Sequence, residues 1–85
     1  MIKKPITIHL STGLEARPVA QLVQVASQYE SKIHVEVEEK RVNAKSIMGM
    51  MSLSLMDGDL VTVVADGKDE KEAADGIEKF LEGVK

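Results

Sequence analysis

Ile6, Ile8 and Leu10 interleave with Thr7, His9 and Ser11. This two-residue period predicts a strand with one buried face. Pro5 precedes it and cannot donate to a ladder, so the strand's start is expected at a sheet edge or outside the sheet. Ser11-Thr12-Gly13 breaks the pattern, and the period then changes. Val19, Leu22, Val23, Ala26 and Tyr29 recur at helical spacing, with Gln21, Gln24 and Gln28 on the wet side. Pro18 falls in the first turn of this helix, where its missing amide costs nothing. Ile33, Val35 and Val37 alternate with Lys32, His34, Glu36 and Glu38, which predicts a second strand with one solvated face. The Glu38-Glu39-Lys40 tip suits a tight turn into a short third strand around Val42.

A second helix is expected from Ile47 to Leu55, with Gly49 weakening its regularity. Asp57-Gly58-Asp59 signals a turn. Leu60 to Ala65 is continuously apolar and rich in β-branched residues, as expected of a central strand that Gly67 ends. Asp69 with Glu72 three residues on reads as a capping box. It opens a third helix whose stripe is Ala73, Ile77, Phe80, Leu81 and Val84. Gly76 inside that helix is expected to cost up to about 1 kcal/mol relative to alanine. The order strand, helix, strand, strand, helix, strand, helix predicts an α+β fold. It is a two-layer open-faced sandwich, with a small antiparallel sheet covered on one face by three helices. Thr7, His9, His34 and Glu36 are expected on the open face. Residues 1–85 read as a single domain.

A chain of 85 residues buries roughly 60–65% of the surface its unfolded form exposes, so its core is modest. With no cysteine, neither a disulfide nor a thiolate metal site can add to it. No apolar run has the length of a membrane span, and the N-terminus lacks a secretory signal's apolar region. A net charge of −3 with one Tyr and one Phe argues against general nucleic-acid binding. The expectation is a small cytoplasmic domain.

His9 and His34 lie at polar strand positions and read as solvated imidazoles, since no third ligand at metal-like spacing accompanies them. Asp57, Asp59, Glu70 and Glu72 are accounted for by a turn and a helix N-terminus. Neither a catalytic triad nor a phosphate-cradling glycine motif is present. The expectation is therefore a protein without catalytic residues, cofactor or metal.

The candidate chemistry lies between Arg41 and Leu53. Ser46 stands where an N-cap belongs, directly before the apolar run. Ile47, Met48, Met50, Met51, Leu53 and Leu55 are too many for one buried stripe, so part of them is expected at the surface. Lys40, Arg41 and Lys45 lie upstream and would welcome a phosphate on Ser46. This combination predicts a docking surface, a phosphorylatable serine beside exposed Met48 and Met51. Earlier in the chain, Glu15 precedes the first helix and Arg17 lies beside it. As a surface pair they would contribute at most about 1 kcal/mol.

Two segments carry a family resemblance. Thr12-Gly13-Leu14-Glu15-Ala16-Arg17-Pro18 is similar to the active-centre segment of the HPr family of small phosphocarriers. Val42-Asn43-Ala44-Lys45-Ser46-Ile47-Met48-Gly49-Met50-Met51-Ser52-Leu53 is similar to the regulatory-serine segment of Gram-positive members. The resemblance runs essentially the whole length of the chain and implies the sandwich derived above with sheet order 1-4-2-3.

In the family's phosphocarriers the residue before Ala-Arg-Pro is a histidine that takes phosphate from enzyme I of the sugar phosphotransferase system. Glu15 occupies that position here, so sugar-transport phosphotransfer is not expected. A missing histidine beside a retained Ser46 segment resembles the family's regulators of carbon catabolite repression. That resemblance implies phosphorylation of Ser46 by HPr kinase/phosphorylase, with ATP as donor. It also implies a corepressor role towards catabolite control protein A, a LacI-type DNA-binding regulator. The partner-binding residues it implies are Glu15, Arg17, Ala20, Lys45, Ser46, Ile47, Met48 and Met51. The alternative is a regulatory binding subunit of a metabolic enzyme, acting unphosphorylated. The Thr12-Gly13 break also offers a hinge for strand exchange, and so for a homodimer.

Overall fold

The computed structural model describes residues 1–10, 16–53 and 55–83. Its elements run β1 (Ile2–Thr7), α1 (Ala16–Ser27), β2 (Lys32–Val37), β3 (Lys40–Asn43), α2 (Ile47–Met51), β4 (Leu60–Asp66) and α3 (Glu70–Leu81). The four strands form one antiparallel sheet in the order β1-β4-β2-β3. Ile6, Ile33, Val35, Val61, Val63 and Ala65 project from one sheet face. They share a single apolar core with Val19, Leu22 and Ala26 of α1, Met50 of α2, and Ala73, Ala74, Ile77 and Leu81 of α3. The expected class, element order and sheet order are therefore those of the molecule.

The continuous apolarity of β4 follows from its central position. Val61, Val63 and Ala65 face the helices, and Val64 is buried on the opposite face between its cross-strand neighbours Lys3 and His34. Three expectations need correction.

First, β1 begins at Ile2, ahead of Pro5, and ends at Thr7. The edge position expected from Pro5 is borne out: β1 pairs with β4 alone among the described strands and has a side on which no ladder bond is required, so Pro5 sits within it opposite Thr62. Ile8 continues the contact differently, donating its amide to the Asp59 carbonyl at 2.9 Å while its own carbonyl accepts from Gly58 at 2.7 Å.

Second, α2 ends at Met51 rather than Leu55. The Ser52 hydroxyl takes the Gly49 carbonyl at 2.6 Å, and the Leu53 amide closes onto Met50 three residues back, so the helical ladder stops there. Leu55 then enters the core from outside any helix.

Third, Asp69 stands at the N-cap of α3 but does not cap it. Its carboxylate instead accepts the amides of Glu30 and Ser31, both at 2.9 Å, and the Ser31 hydroxyl. It thereby ties the α1–β2 connection to the start of α3. These bonds, led by the Ser31 hydroxyl, hold its carboxyl below the ordinary value of 3.8. Val84 and the Thr12-Gly13 break lie outside the described residues.

Candidate functional site

Ser46 sits at the N-cap of α2 with extended backbone (φ −110°, ψ 115°), and its Oγ accepts the Gly49 amide at 3.2 Å. Gly49, which weakened the helix prediction, belongs to this arrangement. A β-carbon there would stand 3.3 Å from Ser46 Oγ and 3.6 Å from Val42 Cβ, tight against the capping hydroxyl. The turn leading in is also built from side chain to backbone. Asn43 Oδ1 accepts the Lys45 amide at 2.8 Å, and the Ser46 amide closes onto the Asn43 carbonyl at 3.0 Å. Ala44 is pinned between, buried, with its amide on the Ile33 carbonyl.

Beyond Ser46 the apolar run divides by direction. Met50 is buried at 1% exposure and anchors α2 to the core. Met48 is 85% exposed, Met51 50% and Ile47 46%, so these three form an apolar surface around the half-buried Ser46. The surplus of apolar residues predicted such a surface, and its members are the two methionines singled out together with Ile47. Arg17 is exposed in the first turn of α1, with Ala20 half-buried one turn on, and α1 packs against α2. Glu15 lies outside the described residues.

Two of the upstream basic residues have partners other than Ser46. Lys45 Nζ donates to the Tyr29 carbonyl at 2.7 Å, just beyond the end of α1. Arg41 lies on the open sheet face, 3.3 Å from His34 Nδ1 and 3.8 Å from Glu36. The expectation that Arg41 would flank the serine is corrected accordingly. Sequence spacing places Arg41 nearby, but the alternation of β3 sends it to the other side of the sheet. Nor is His34 a fully solvated imidazole. It is half-buried, and desolvation, then Arg41, push its pKa below the ordinary 6.5. His9 is exposed, and its amide donates to the Leu81 carbonyl at 2.7 Å.

The other serines with described side chains offer less. Ser31 is buried with its hydroxyl on Asp69, and the Ser52 hydroxyl is spent on Gly49. Ser27 ends α1 with no large apolar residue beside it in sequence.

Residues 2–83 match the sequence model of the family described as PTS HPr component phosphorylation site. The HPr-like protein Crh of Halalkalibacterium halodurans is 45% identical over 82 residues, covering 96% of this chain and 98% of that protein. Its Bacillus subtilis counterpart is 43% identical and covers 96% of each. Among solved structures, HPr-C-His from Thermoanaerobacter tengcongensis superposes with a TM-score of 0.93 at 47% identity, covering 98% of this chain and 93% of that one. Crystalline Bacillus subtilis Crh, described as a domain-swapped dimer, gives 0.79 at 42% identity, covering 98% and 95%. With its sheet order, its Ser46 turn and these similarities, the chain belongs to the HPr family.

Proposed function

We propose that this chain is a regulatory member of its family acting in carbon catabolite repression in the cytoplasm. Residues 1–85 form one HPr-like domain in this reading. HPr kinase/phosphorylase modifies Ser46, and the modified protein is a corepressor of catabolite control protein A. The observation that carries the reading is the Ser46 site. An N-cap hydroxyl beside the exposed Ile47, Met48 and Met51 offers an enzyme both an acceptor and a place to dock. Methionine side chains suit such a surface because they are flexible and polarisable. Similarity to the two Crh proteins supports the same role.

Glu15 points away from sugar transport. A carboxylate would form an acyl phosphate rather than the phosphoimidazole that a histidine forms. Arg17, Ala20 and Lys45 complete the partner surface with Glu15, Ser46, Ile47, Met48 and Met51. The described domain swap of Bacillus subtilis Crh supports a homodimer here too, reached by exchange about Thr12-Gly13.

Calorimetric titration of catabolite control protein A with unmodified and Ser46-phosphorylated chain tests the proposal. The phosphorylated form is expected to bind more tightly, and Ser46→Ala to lose the gain. Equal affinities would end the corepressor reading. Tight binding of the unmodified chain to a metabolic enzyme would favour the alternative role as that enzyme's regulatory subunit.

A further inference from the structure

At the end of the sheet opposite the β2–β3 turn, β2 begins at Lys32 and β3 closes at Asn43. A cavity of about 340 Å³ opens there, lined by Lys32, Ile33, His34, Asn43 and Lys45. Four of the five carry side-chain nitrogen and none carries a carboxylate, although the chain holds 14 acidic residues against 11 basic. The acids nearest in register each have another cation beside them. Asp66, opposite Lys32, lies 3.9 Å from the N-terminal amine, and Glu36 lies 3.8 Å from Arg41.

Neighbouring contacts favour donors along this wall. Arg41 Nη2 lies 3.3 Å from His34 Nδ1, and a guanidinium can only donate. The tautomer that fits this contact accepts at Nδ1 and carries its proton on Nε2, a donor. Asn43 uses its Oδ1 on the Lys45 amide, which leaves both hydrogens of its amide nitrogen to give. Lys45 Nζ commits one of its three hydrogens to the Tyr29 carbonyl at 2.7 Å, so the ammonium is held in place with donors to spare. Lys32 adds a second ammonium at the rim.

A cavity walled by two cations and two oriented neutral donors is complementary to a compact anion with several acceptor oxygens. Its volume falls within the roughly 300–1,000 Å³ range of small-molecule sites and leaves room for a short organic group as well as the anion. We propose that this cavity binds a small phosphomonoester. The dianionic phosphate meets Lys32, His34 Nε2, Asn43 Nδ2 and Lys45, and the organic group fills the remaining space. Ser46 is not among the residues that line it.

The test is a titration of the intact protein, followed in two-dimensional amide NMR spectra, with glycerol 3-phosphate, inorganic phosphate and glycerol. Glycerol 3-phosphate is expected to give saturable shifts centred on Lys32, His34, Asn43 and Lys45, to bind more tightly than phosphate, and glycerol to give none. Asn43→Asp keeps an oxygen for the Lys45 amide but replaces the donor nitrogen with an anion. Lys32→Gln removes a rim cation from an exposed position. Each is expected to weaken binding about tenfold, the effect of one charge-assisted bond. Lys79→Gln, on the exposed side of α3, is expected to change nothing.

Absence of saturation would overturn the proposal, as would unaltered affinity in Lys32→Gln. Equal affinity for inorganic phosphate would overturn the phosphomonoester assignment. Should Asn43→Asp disturb folding by circular dichroism, the Lys32 variant alone carries the result.

Discussion

Met48, Met50 and Met51 lie within one turn of α2 and are predicted to differ sharply in their contributions to stability. Fully burying a methionine side chain stabilises a fold by about 1.5–3 kcal/mol. At 85% exposure Met48 realises only a small part of this, so Met48→Ala should cost about 0.2–0.5 kcal/mol. Alanine's better helix propensity can cancel even that. Met51, half covered, should cost about 0.8–1.5 kcal/mol. Met50 is 1% exposed and leaves a cavity when truncated, so Met50→Ala should cost about 2–5 kcal/mol. Urea unfolding of the three variants, with m-values checked for constancy, measures the series directly. A loss above about 2 kcal/mol for Met48→Ala would place that side chain in the core. A loss below about 1 kcal/mol for Met50→Ala would mean that α2 is rotated from the orientation described. Either result would remove the exposed patch on which the proposed recognition of Ser46 rests. With the predicted order, Met48→Ala becomes a clean functional probe, expected to slow the kinase while leaving the fold unchanged.

Gly76→Ala should destabilise the protein although alanine is the better helix former, because the new methyl would lie 3.1 Å from Tyr29 Cζ and closer still to its hydroxyl. Overpacking of about 1–3 kcal/mol exceeds the roughly 1 kcal/mol propensity gain, and truncating Tyr29 in the same chain should restore that gain in urea melts. Glu38 holds φ 55° in the β2–β3 turn, so Glu38→Gly should raise stability by about 0.5–1 kcal/mol, and a lower urea midpoint would refute the strain. Asp69, with its carboxyl pKa depressed in the fold, contributes stability that is present above its unfolded value of 3.8 and lost as pH falls through the folded value. Asp69→Asn should flatten the acid limb of a stability–pH profile between pH 2 and 5 (roughly the span of such shifts), and an unchanged limb would disprove the assignment.

The elements legible in the sequence are those whose side chains obey one period. The 3.6-residue stripe of α1 and the alternation of β2 lead directly to buried Val19, Leu22, Ala26, Ile33 and Val35. What periodicity missed was set by side chains bonding to backbone at a distance or out of turn. Asp69 with Glu72 has the spacing of a capping box, yet the Asp69 carboxylate finds two amides and a hydroxyl at Glu30 and Ser31, over 35 residues away in sequence. Ser52 looks like an ordinary helical serine until its hydroxyl takes the Gly49 carbonyl and ends α2. Gly76 looks like a defect in α3 and is where the Tyr29 ring packs. Gly67 resembles a simple terminator, but its α-carbon lies so near Ser31 that a β-carbon would come within 2.7 Å of the Ser31 backbone. At the candidate site, counting apolar residues showed that some must be exposed. Only the fold shows that Met50 is the one turned inward.

The placement of Lys45 and Arg41 bears on how a phosphate at Ser46 would act. Held by the Tyr29 carbonyl and by the His34–Glu36 side of the sheet, these cations are not poised to close over the new group. Within the chain, the phosphate would meet mainly the amides at the start of α2, in place of the Ser46 Oγ bond to Gly49. Such an interaction is worth on the order of 0.3–2 kcal/mol, so modification should alter unfolding free energy by no more than that. The larger effect is left to a partner's arginines or lysines, which can make charge-assisted bonds to three phosphate oxygens. Contacts of this kind at an interface rim are screened by salt, whereas the apolar contacts of Ile47, Met48 and Met51 are not. The affinity gained on phosphorylation should therefore shrink as salt is raised from about 0.05 to 0.5 M, while the weaker binding of unmodified chain changes little. Titrations of the repressor at several salt concentrations read both slopes. A salt-independent gain accompanied by a stability increase of several kcal/mol would show instead that phosphate reorganises the chain's own structure, and that Lys45 or Arg41 leaves its present partner to do so.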